Sequence, residues 1–201
     1  GSFSTSDSTP PNIVVDSITA TGDPDVGTII SVQTTITDAS GIASSEFRIQ
    51  GPVSYDSGWM ALDGTFDGTW DSSNALNEGV HSVNIRATDG SVSSNVADPV
   101  GDEGTFTLTD ATVPSIVVDS ITAAGDPEQS DIITILTTIT DWAGVVNPEY
   151  RIQGPSAYDS GWLALDGTYD ATWDSSNANA EGVHTVNIRA DDGAGTPNTA
   201  D

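Results

Sequence analysis

The 201-residue sequence contains no cysteine and no lysine, and its four basic residues are all arginine. Without cysteine the chain cannot form disulfides or bind a metal through sulfur. No apolar run approaches the ~20 residues that a membrane-spanning helix requires. We therefore expect neither sulfur-based cross-links nor insertion into a membrane.

The chain carries a large excess of negative charge. Thirty acidic residues face the four arginines, which gives a formal net charge of −26, and 24 of the thirty are aspartate. Such a surface repels nucleic acid and anionic membranes, so neither is expected as a partner. Two interpretations of the charge remain open. The acids form a solvating, salt-tolerant surface, or some of them bind divalent cations.

The second half of the sequence repeats the first at a constant offset of 103 residues. Residues 11–98 and 114–201 share 58 identities over 88 aligned pairs, without a gap. EFRIQGPVSYDSGWMALDGTFDGTWDSSN at 46–74, for example, returns as EYRIQGPSAYDSGWLALDGTYDATWDSSN at 149–177. Similarity of this kind is typical of duplicated modules rather than of two domains with different tasks.

The repeat does not start at the first residue. GSFSTSDST at 1–9 aligns at the same offset with GTFTLTDAT at 104–112. We therefore interpret residues 1–9 as an N-terminal strand equivalent to the last strand of a preceding repeat. Repeat 1 then spans residues 10–112, and repeat 2 spans residues 113–201 and lacks its last strand.

Apolar residues alternate with polar ones at a period of two, and β-branched residues are abundant, as in half-buried strands. Strands are predicted near 12–19, 28–37, 45–50, 59–62, 65–71, 80–87 and 104–109, with equivalents 103 residues later except for the last. Seven short strands in about 100 residues predict an all-β protein of two tandem immunoglobulin-like β-sandwich domains. The expected core comprises Ile30, Val32, Ile36, Phe47, Ile49, Trp70, Val83, Ile85 and their counterparts.

Two segments resemble a known family. EGVHSVNIRATDG at 78–90 is similar to the penultimate strand of bacterial and archaeal immunoglobulin-like surface repeats of the cadherin and adhesin type. TFTLTDATVPSIVVD at 105–119 resembles the junction between such repeats. The resemblance covers essentially all of both repeats. It implies an extracellular, cell-surface role as a stalk, adhesin or filament subunit, often with Ca²⁺ at the junctions. The Lys–Asn cross-links of some members need a lysine that this chain lacks.

Catalytic motifs are absent from the sequence. There is no nucleophile elbow, phosphate-binding loop or His-rich metal pattern. The only histidines, His81 and His184, are counterparts of each other and alternate in phase with inward valines, which predicts packed side chains. We therefore expect a protein that is not an enzyme.

Aromatic residues beside carboxylates suggest a glycan-binding adhesin as an alternative. Tyr55 and Trp59 flank an Asp-Ser-Gly sequence, and Tyr158 and Trp162 repeat the arrangement. Such pairs suit sugar rings and hydroxyl groups. Tryptophans of a sandwich also commonly belong to the core, which is the competing interpretation.

Calcium is the partner that the acidic residues suggest, although no cofactor is required. Calcium takes six to eight oxygen ligands, commonly including several carboxylates. Loops after the second and sixth strands lie at the pole where the chain enters an immunoglobulin-like sandwich. The candidate ligands at the junction are Asp110, Asp141, Asp191 and Asp192, and those at the opposite pole of repeat 1 are Asp23 and Asp25. A solvated acidic hinge is the alternative.

The match of residues 1–9 to the last strand of a repeat, together with the missing last strand of repeat 2, predicts assembly with other copies. A sandwich without its last strand exposes unpaired backbone groups and an open core. The segment of Ser2, Phe3, Ser4, Thr5, Ser6 and Asp7 has the sequence of the missing strand. Donor-strand addition between copies would produce a head-to-tail, pilus-like filament, with Phe3 in the groove and Asp7 at the junction. In the alternative, the chain is a segment of a giant repetitive adhesin whose covalently linked repeats supply the same strands.

Overall fold

The computed structural model describes residues 6–19, 25–98, 101, 103–123 and 130–201. The chain divides into two compact units, Gly1–Asp110 and Ala111–Asp201. The described residues contain no α-helix, and their only helical turns are the short 3₁₀ segments Pro52–Ser54, Ser72–Asn74 and Ser175–Asn177. Each unit is an immunoglobulin-like β-sandwich of two antiparallel sheets, which confirms the predicted fold class.

The described residues of the first unit form eight strands. In chain order they are β1 (Asn12–Thr19), β2 (Ile29–Thr37), β3 (Ile42–Gln50), β4 (Met60–Ala61), β5 (Gly68–Asp71), β6 (Gly79–Asp89), β7 (Val96–Ala97) and β8 (Gly104–Leu108). One sheet has the order β1-β2-β5, and the other has the order β4-β3-β6-β7, with β8 also paired to β6. Only β7 was not predicted, because two residues are too few to show an alternating pattern.

The core of the first unit lies between these sheets and confirms the eight predicted positions. Ile30, Val32, Ile49 and Val83 are completely buried, and the other four are nearly so. Successive residues of a strand point to opposite faces, so each strand places its alternate apolar residues in the core. Full burial of such a side chain contributes about 1.5–3 kcal/mol.

Strand β8 closes one side of this sandwich. It runs antiparallel to β6, with Phe106 opposite His81 and Gly104 opposite Val83. Its inward residues also reach β1, because a Cβ atom at Gly104 would lie 2.3 Å from Cδ1 of Ile18. Leu108, at the end of the strand, is completely buried. The strand therefore covers the gap between the two sheets.

The second unit repeats the two sheets. Its strands are β9 (Ser115–Thr122), β10 (Ile132–Thr140), β11 (Val145–Gly154), β12 (Tyr158–Asp159), β13 (Leu163–Ala164), β14 (Ala171–Asp174), β15 (Thr185–Asp192) and β16 (Thr199–Ala200). The sheet orders are β14-β10-β9 and β12-β11-β15-β16, with β13 paired to β11. No strand within residues 130–201 takes the place of β8.

The open side changes the core of the second unit. Six of the eight expected counterparts are buried, but Ile133 and Val186 are only half-buried. The expectation of full burial was wrong for these two residues. Their counterparts in the first unit, Ile30 and Val83, are completely buried in a sandwich that β8 closes.

Candidate functional site

A groove opens in the second unit where β8 lies in the first. On one side Val118 and Ile121 of β9 are 43% and 50% exposed. Both belong to the inner face of the sheet, because they lie opposite the buried residues Thr137 and Ile135 of β10. These two apolar side chains therefore point toward the core and are still open to solvent.

The other side of the groove is formed by β15 and the residues before it. His184 and Val186 are half-buried, whereas their counterparts His81 and Val83 are completely buried. Strand β15 pairs with β11 along one edge. Along its other edge, the described residues pair with it only at Ala190 and Asp191, through β16. Backbone groups near Thr185 are thus open to an additional strand.

We call this feature the docking groove, and its residues are Val118, Ile121, Ile133, His184 and Val186. Its lining is apolar except for one imidazole, and one of its edges is an open β-strand. An exposed strand edge beside an uncovered core is a template for strand addition.

The first unit shows how such a groove is filled. The Phe106 ring stacks on His81 with the centroids 5.3 Å apart and the planes inclined by 13°. Trp70 and Tyr55 complete the cluster, and Trp70 Nε1 donates a hydrogen bond to the Tyr55 hydroxyl at 3.1 Å. His81 is a packed histidine, and burial lowers its pKa below the ordinary value.

The second unit keeps the same aromatic cluster without the stacked phenylalanine. His184 lies 5.7 Å from Trp173 and 5.9 Å from Tyr158, measured between ring centroids. Trp173 Nε1 donates to the Tyr158 hydroxyl at 3.3 Å. Tyr158, one of the predicted glycan contacts, therefore belongs to the wall beneath the docking groove.

The other predicted glycan contacts separate into two environments. Tyr55 faces the core cluster with Trp70, whereas Trp59 lies on the outer face of the sheet. The guanidinium carbons of Arg48 and Arg86 lie 4.8 Å and 4.3 Å from the centroid of the Trp59 ring. Cation–π contacts of this kind already use the ring that a sugar would need. The structure thus does not bring Tyr55 and Trp59 into one platform.

The same contacts recur around Trp162. Arg189 lies 4.2 Å and Arg151 5.8 Å from its ring centroid. Arg151 also donates two hydrogen bonds to Asp159, which lower the pKa of that carboxyl to about 2. Arg189 pairs with Glu149 at 2.6 Å. Each of the four arginines thus contacts Trp59 or Trp162 and pairs with a neighbouring carboxylate.

Three carboxylates of the first unit form an acidic cluster, which consists of Asp7, Asp38 and Asp89. Each offers an oxygen within 4.8 Å of the others. Asp38 follows β2, Asp89 ends β6, and Asp7 precedes β1, so the three meet at the pole where the chain enters the sandwich. Asp89 is only 1% exposed.

Hydrogen bonds hold these carboxylates in place. The Asn95 side chain donates to Asp89 at 2.7 Å and to the backbone carbonyl of Asp7 at 3.2 Å. Burial opposes ionisation of Asp89, but bonds from Asn95 and Ser91 lower its pKa. Hydrogen bonds from Thr9 lower the pKa of Asp7. Ionised carboxylates at this spacing could hold a divalent cation such as Ca²⁺.

The predicted metal ligands of the second unit lie in two environments. Asp141 and Asp192 are the counterparts of Asp38 and Asp89, and their oxygens also lie within 4.8 Å of each other. The Asp191 carboxylate instead accepts hydrogen bonds from Asn147 at 3.0 Å and Thr199 at 2.6 Å.

The remaining candidate ligands are placed as follows. The Asp25 carboxylate accepts a bond from the backbone of Val26 at 2.8 Å. Asp110 is buried, and its backbone N–H donates to Glu78 at 2.5 Å. Asp23 lies outside the described residues.

Sequence reasoning assigned Asp7 to the assembly strand and missed Asp38 and Asp89 as candidate ligands. The signal that could have found the missed pair is the 103-residue offset, which maps them onto Asp141 and Asp192. Within the assembly segment, Ser6 is exposed and Asp7 joins the cluster. The remaining positions, Ser2, Phe3, Ser4 and Thr5, lie outside the described residues.

Comparisons with known proteins give only weak similarities. No protein-family model matches the chain, and no curated protein matches it. One similar solved structure is that of the fibronectin(III)-like modules of Clostridium thermocellum CbhA. It has 14% identity and a TM-score of 0.36, and covers 94% of this chain and 91% of that one.

A second similar structure is the BSP domain of a biofilm-associated protein. It has 15% identity and a TM-score of 0.33, and the match covers 94% of this chain and 28% of that one. At these values the fold assignment rests on the strand order of the two units and not on the likeness. Among the described residues, no helix has the length and apolar character needed to cross a bilayer.

Proposed function

We propose that this chain is a non-enzymatic, extracellular structural protein that forms a cell-surface filament by donor-strand addition. A strand of the β8 type from one copy fills the docking groove of the next. The observation that carries the proposal is the exposure of Val118 and Ile121, which face inward but have no strand over them within the part of the chain that the structure describes. Burial of such apolar surface is the main driving force for association.

Residues 1–7 provide the glycine and the phenylalanine that the first two inward positions of β8 carry. By the 103-residue offset, Gly1, Phe3 and Thr5 correspond to the inward residues Gly104, Phe106 and Leu108. Glycine suits the first position because a Cβ at Gly104 would collide with Ile18, whose counterpart in the groove is Ile121. Phenylalanine suits the second position because it would stack on His184.

The position of Asp7 supports exchange between copies. Its carboxylate and carbonyl are held on the first unit of its own chain. A donor segment that is anchored there, and a groove in the second unit, are different surfaces of one molecule. Contacts between different surfaces are heterologous, and when they do not close into a ring they produce a filament.

A divalent cation in the acidic cluster would stiffen the base of the donor segment. The support is the close approach of Asp7, Asp38 and Asp89, with Asp89 almost completely buried. A bound cation would relieve the repulsion between the three charges. From the sequence, the counterparts Asp110, Asp141 and Asp192 are proposed to serve the same purpose.

Removal of residues 1–9 tests the proposal. We expect the full chain to form polymers that sedimentation velocity and negative-stain microscopy detect, and the truncated chain to remain monomeric. A synthetic peptide of residues 1–9 should bind the truncated chain and cap growth of the full one. Polymers that persist without residues 1–9 would contradict donation by this segment.

The rival arrangement places the chain within a longer repetitive adhesin. In that case covalently joined repeats supply the strand. The cell-surface location rests on the resemblance of both repeats to surface repeats. Fractionation of the source cells with a specific antibody tests it.

A further inference from the structure

The second unit has a cavity of about 640 Å³ beside the outer face of the sheet that contains β11, β15 and β16. It is separate from the docking groove, which opens toward the core. Its polar lining consists of Asn147, Glu149, Arg189, Asp191 and Thr199. Ligand pockets commonly measure about 300–1,000 Å³, so this cavity has the size for a small molecule.

Asp191 lies at the centre of the polar lining. Its neighbours Ala190 and Asp192 are buried, so Asp191 points away from the core. Thr199 Oγ1 donates to its carboxylate at 2.6 Å from one side, and Asn147 Nδ2 donates at 3.0 Å from the other. Bonds from Thr199 and Asn147 lower the pKa of the Asp191 carboxyl, so the group is ionised at neutral pH.

The first unit does not carry this network, although its strands pair in the same register. Thr88 of β6 lies opposite Val96 of β7, as Asp191 lies opposite Thr199. The 103-residue offset places Ser44, Thr88 and Val96 at the three positions of the network. All three positions thus differ, although the repeats share 58 of 88 aligned residues. Because the first unit folds without the network, the network is not a requirement of the fold.

The charges of the cavity favour a neutral ligand. Arg189 donates to Glu149 from Nε at 2.8 Å and pairs with it through Nη2 at 2.6 Å, while its guanidinium lies 4.2 Å from the Trp162 centroid. Arg189 is therefore held in place and balances Glu149. The remaining charge of Asp191 would repel an anion such as phosphate, and Arg189 would repel a divalent cation.

The network retains hydrogen-bonding capacity for a ligand. Among the described residues, each carboxylate oxygen of Asp191 accepts one hydrogen bond, and such an oxygen has two lone pairs. Asn147 keeps its side-chain carbonyl oxygen and a second N–H, and the Thr199 hydroxyl keeps its lone pairs. Donors and acceptors thus stand side by side. Neighbouring hydroxyl groups of a ligand, which both donate and accept, match this arrangement.

The rest of the lining is apolar. It consists of Pro148, Ala164 and Leu165. Pro148 replaces Ser45 of the first unit, so the apolar side has also changed between the repeats. The cavity therefore combines an apolar wall with a polar edge. A pyranose ring has the same division, with C–H groups on its faces and hydroxyl groups around its rim.

We propose that this cavity, which we call the sugar site, binds a neutral sugar. Neighbouring hydroxyl groups of the sugar bond to Asp191, Asn147 and Thr199, and a C–H face of the ring packs on Pro148 and Ala164. The proposal does not depend on donor-strand addition, because every lining residue belongs to the second unit. In a filament the sugar site would repeat once in each copy, and binding to a glycan-bearing surface would be multivalent.

Saturation-transfer difference NMR of the full chain tests the proposal and suits single chains and large assemblies alike. The probes are the methyl glycosides of glucose, galactose, mannose and N-acetylglucosamine, with methyl glucuronide as the anionic comparison. We expect saturation transfer to at least one neutral glycoside and none to the glucuronide. No transfer to any neutral glycoside, or transfer to the glucuronide of equal strength, would overturn the inference.

Two variants locate the binding. Asn147→Ser/Asp191→Thr/Thr199→Val gives the second unit the residues with which the first unit folds. Asp191→Asn keeps the size of the side chain and removes only its charge. We expect each variant to bind the sugar about tenfold more weakly, because hydrogen bonds to a charged group are lost. Melting curves check that both variants are folded.

The matched control places the network in the first unit. Ser44→Asn/Thr88→Asp/Val96→Thr leaves the second unit unchanged, so we expect this variant to bind at least as strongly as the wild type. Full binding by Asp191→Asn and by the triple variant of the second unit would place the sugar elsewhere and overturn the inference. Polymer formation by the same variants, measured by sedimentation velocity, should stay at the wild-type level, so that loss of sugar binding is distinguished from loss of assembly.

Discussion

Phe106 and His81 form a stacked pair across two neighbouring strands, with ring centroids 5.3 Å apart. Both residues belong to the first unit, where β8 places Phe106 over the imidazole. The second unit has the histidine, as His184, but an open groove in place of the phenylalanine. The Phe106–His81 contact within the first unit is therefore the pattern for the contact that we propose between Phe3 of one copy and His184 of the next.

Substitutions on opposite faces of β9 should separate docking from general surface effects. Ile121 and Val117 are each 50% exposed, but Ile121 faces the groove and Val117 the outside. We expect Ile121→Asp to abolish polymers, because a docked strand would bury its charge, and Val117→Asp to leave them unchanged. Equal effects of both substitutions on sedimentation would contradict the location of the groove.

Gly104→Ala should destabilise the first unit. The new Cβ would meet Cδ1 of Ile18 at 2.3 Å, and relief requires Ile18 or β8 to shift. Overpacking of this kind typically costs about 1–3 kcal/mol. Gly64→Ala is the matched control because nothing lies within 4 Å of its added Cβ. Denaturant unfolding compares them, and an equal stability of the two variants would show that β8 is not tightly packed.

His81 should make the stability of the first unit depend on pH. Because burial lowers its pKa, the folded state disfavours the protonated form. The stability is therefore fully present above the unfolded value of about 6.5 and declines as the pH falls below it. With only two histidines, NMR titration can follow each ring, and we expect the His81 signal to stay neutral well below pH 6.5. A normal titration of that signal would contradict its burial beneath Phe106.

Calcium should raise the melting temperature of the chain, and EDTA should lower it. Asp38→Asn removes one charge from the acidic cluster and should reduce the calcium response. Asp16→Asn is the control, since Asp16 is exposed and accepts a bond from Thr35 outside the cluster. Melting curves that neither calcium nor EDTA changes would contradict the binding of a cation by the acidic cluster.

Arg86→Gln should leave the fold intact. Arg86 pairs with Glu46 at 2.7 Å and contacts Trp59, but its side chain is 36% exposed. An exposed ion pair contributes about 0–1 kcal/mol and an exposed cation–π contact about 0.5–1 kcal/mol. We expect a loss of at most about 2 kcal/mol in denaturant unfolding. A larger loss would mean that the arginine–tryptophan contacts organise the sheet.

The strands and the core were predictable because they depend on alternation. Ile30, Val32 and Ile36 mark one face of β2 in the sequence, and the structure buries all three. What alternation could not reveal was how far the inward side chains Val118 and Ile121 are open to solvent.

The acidic residues were harder to place because a loop pattern does not fix side-chain direction. Asp191 and Asp192 are adjacent, and their positions in the sequence do not show which of the two faces the other carboxylates. On a strand, neighbours point to opposite faces. Asp192 is therefore completely buried beside Asp141, while Asp191 turns to Asn147 and Thr199 on the other face. Only the strand register distinguishes the two.

The most direct test of donor-strand addition uses the absence of cysteine. In the first unit, Thr105 of β8 lies opposite Ser82 of β6, and the equivalent pair between two copies is Ser2 and Thr185. Opposed strand residues lie within disulfide distance. We predict that the Ser2→Cys/Thr185→Cys variant forms a ladder of covalent oligomers on a non-reducing gel. The Ser2→Cys/Val117→Cys variant should not. No ladder from the first variant, or a disulfide confined to single chains, would contradict the central claim.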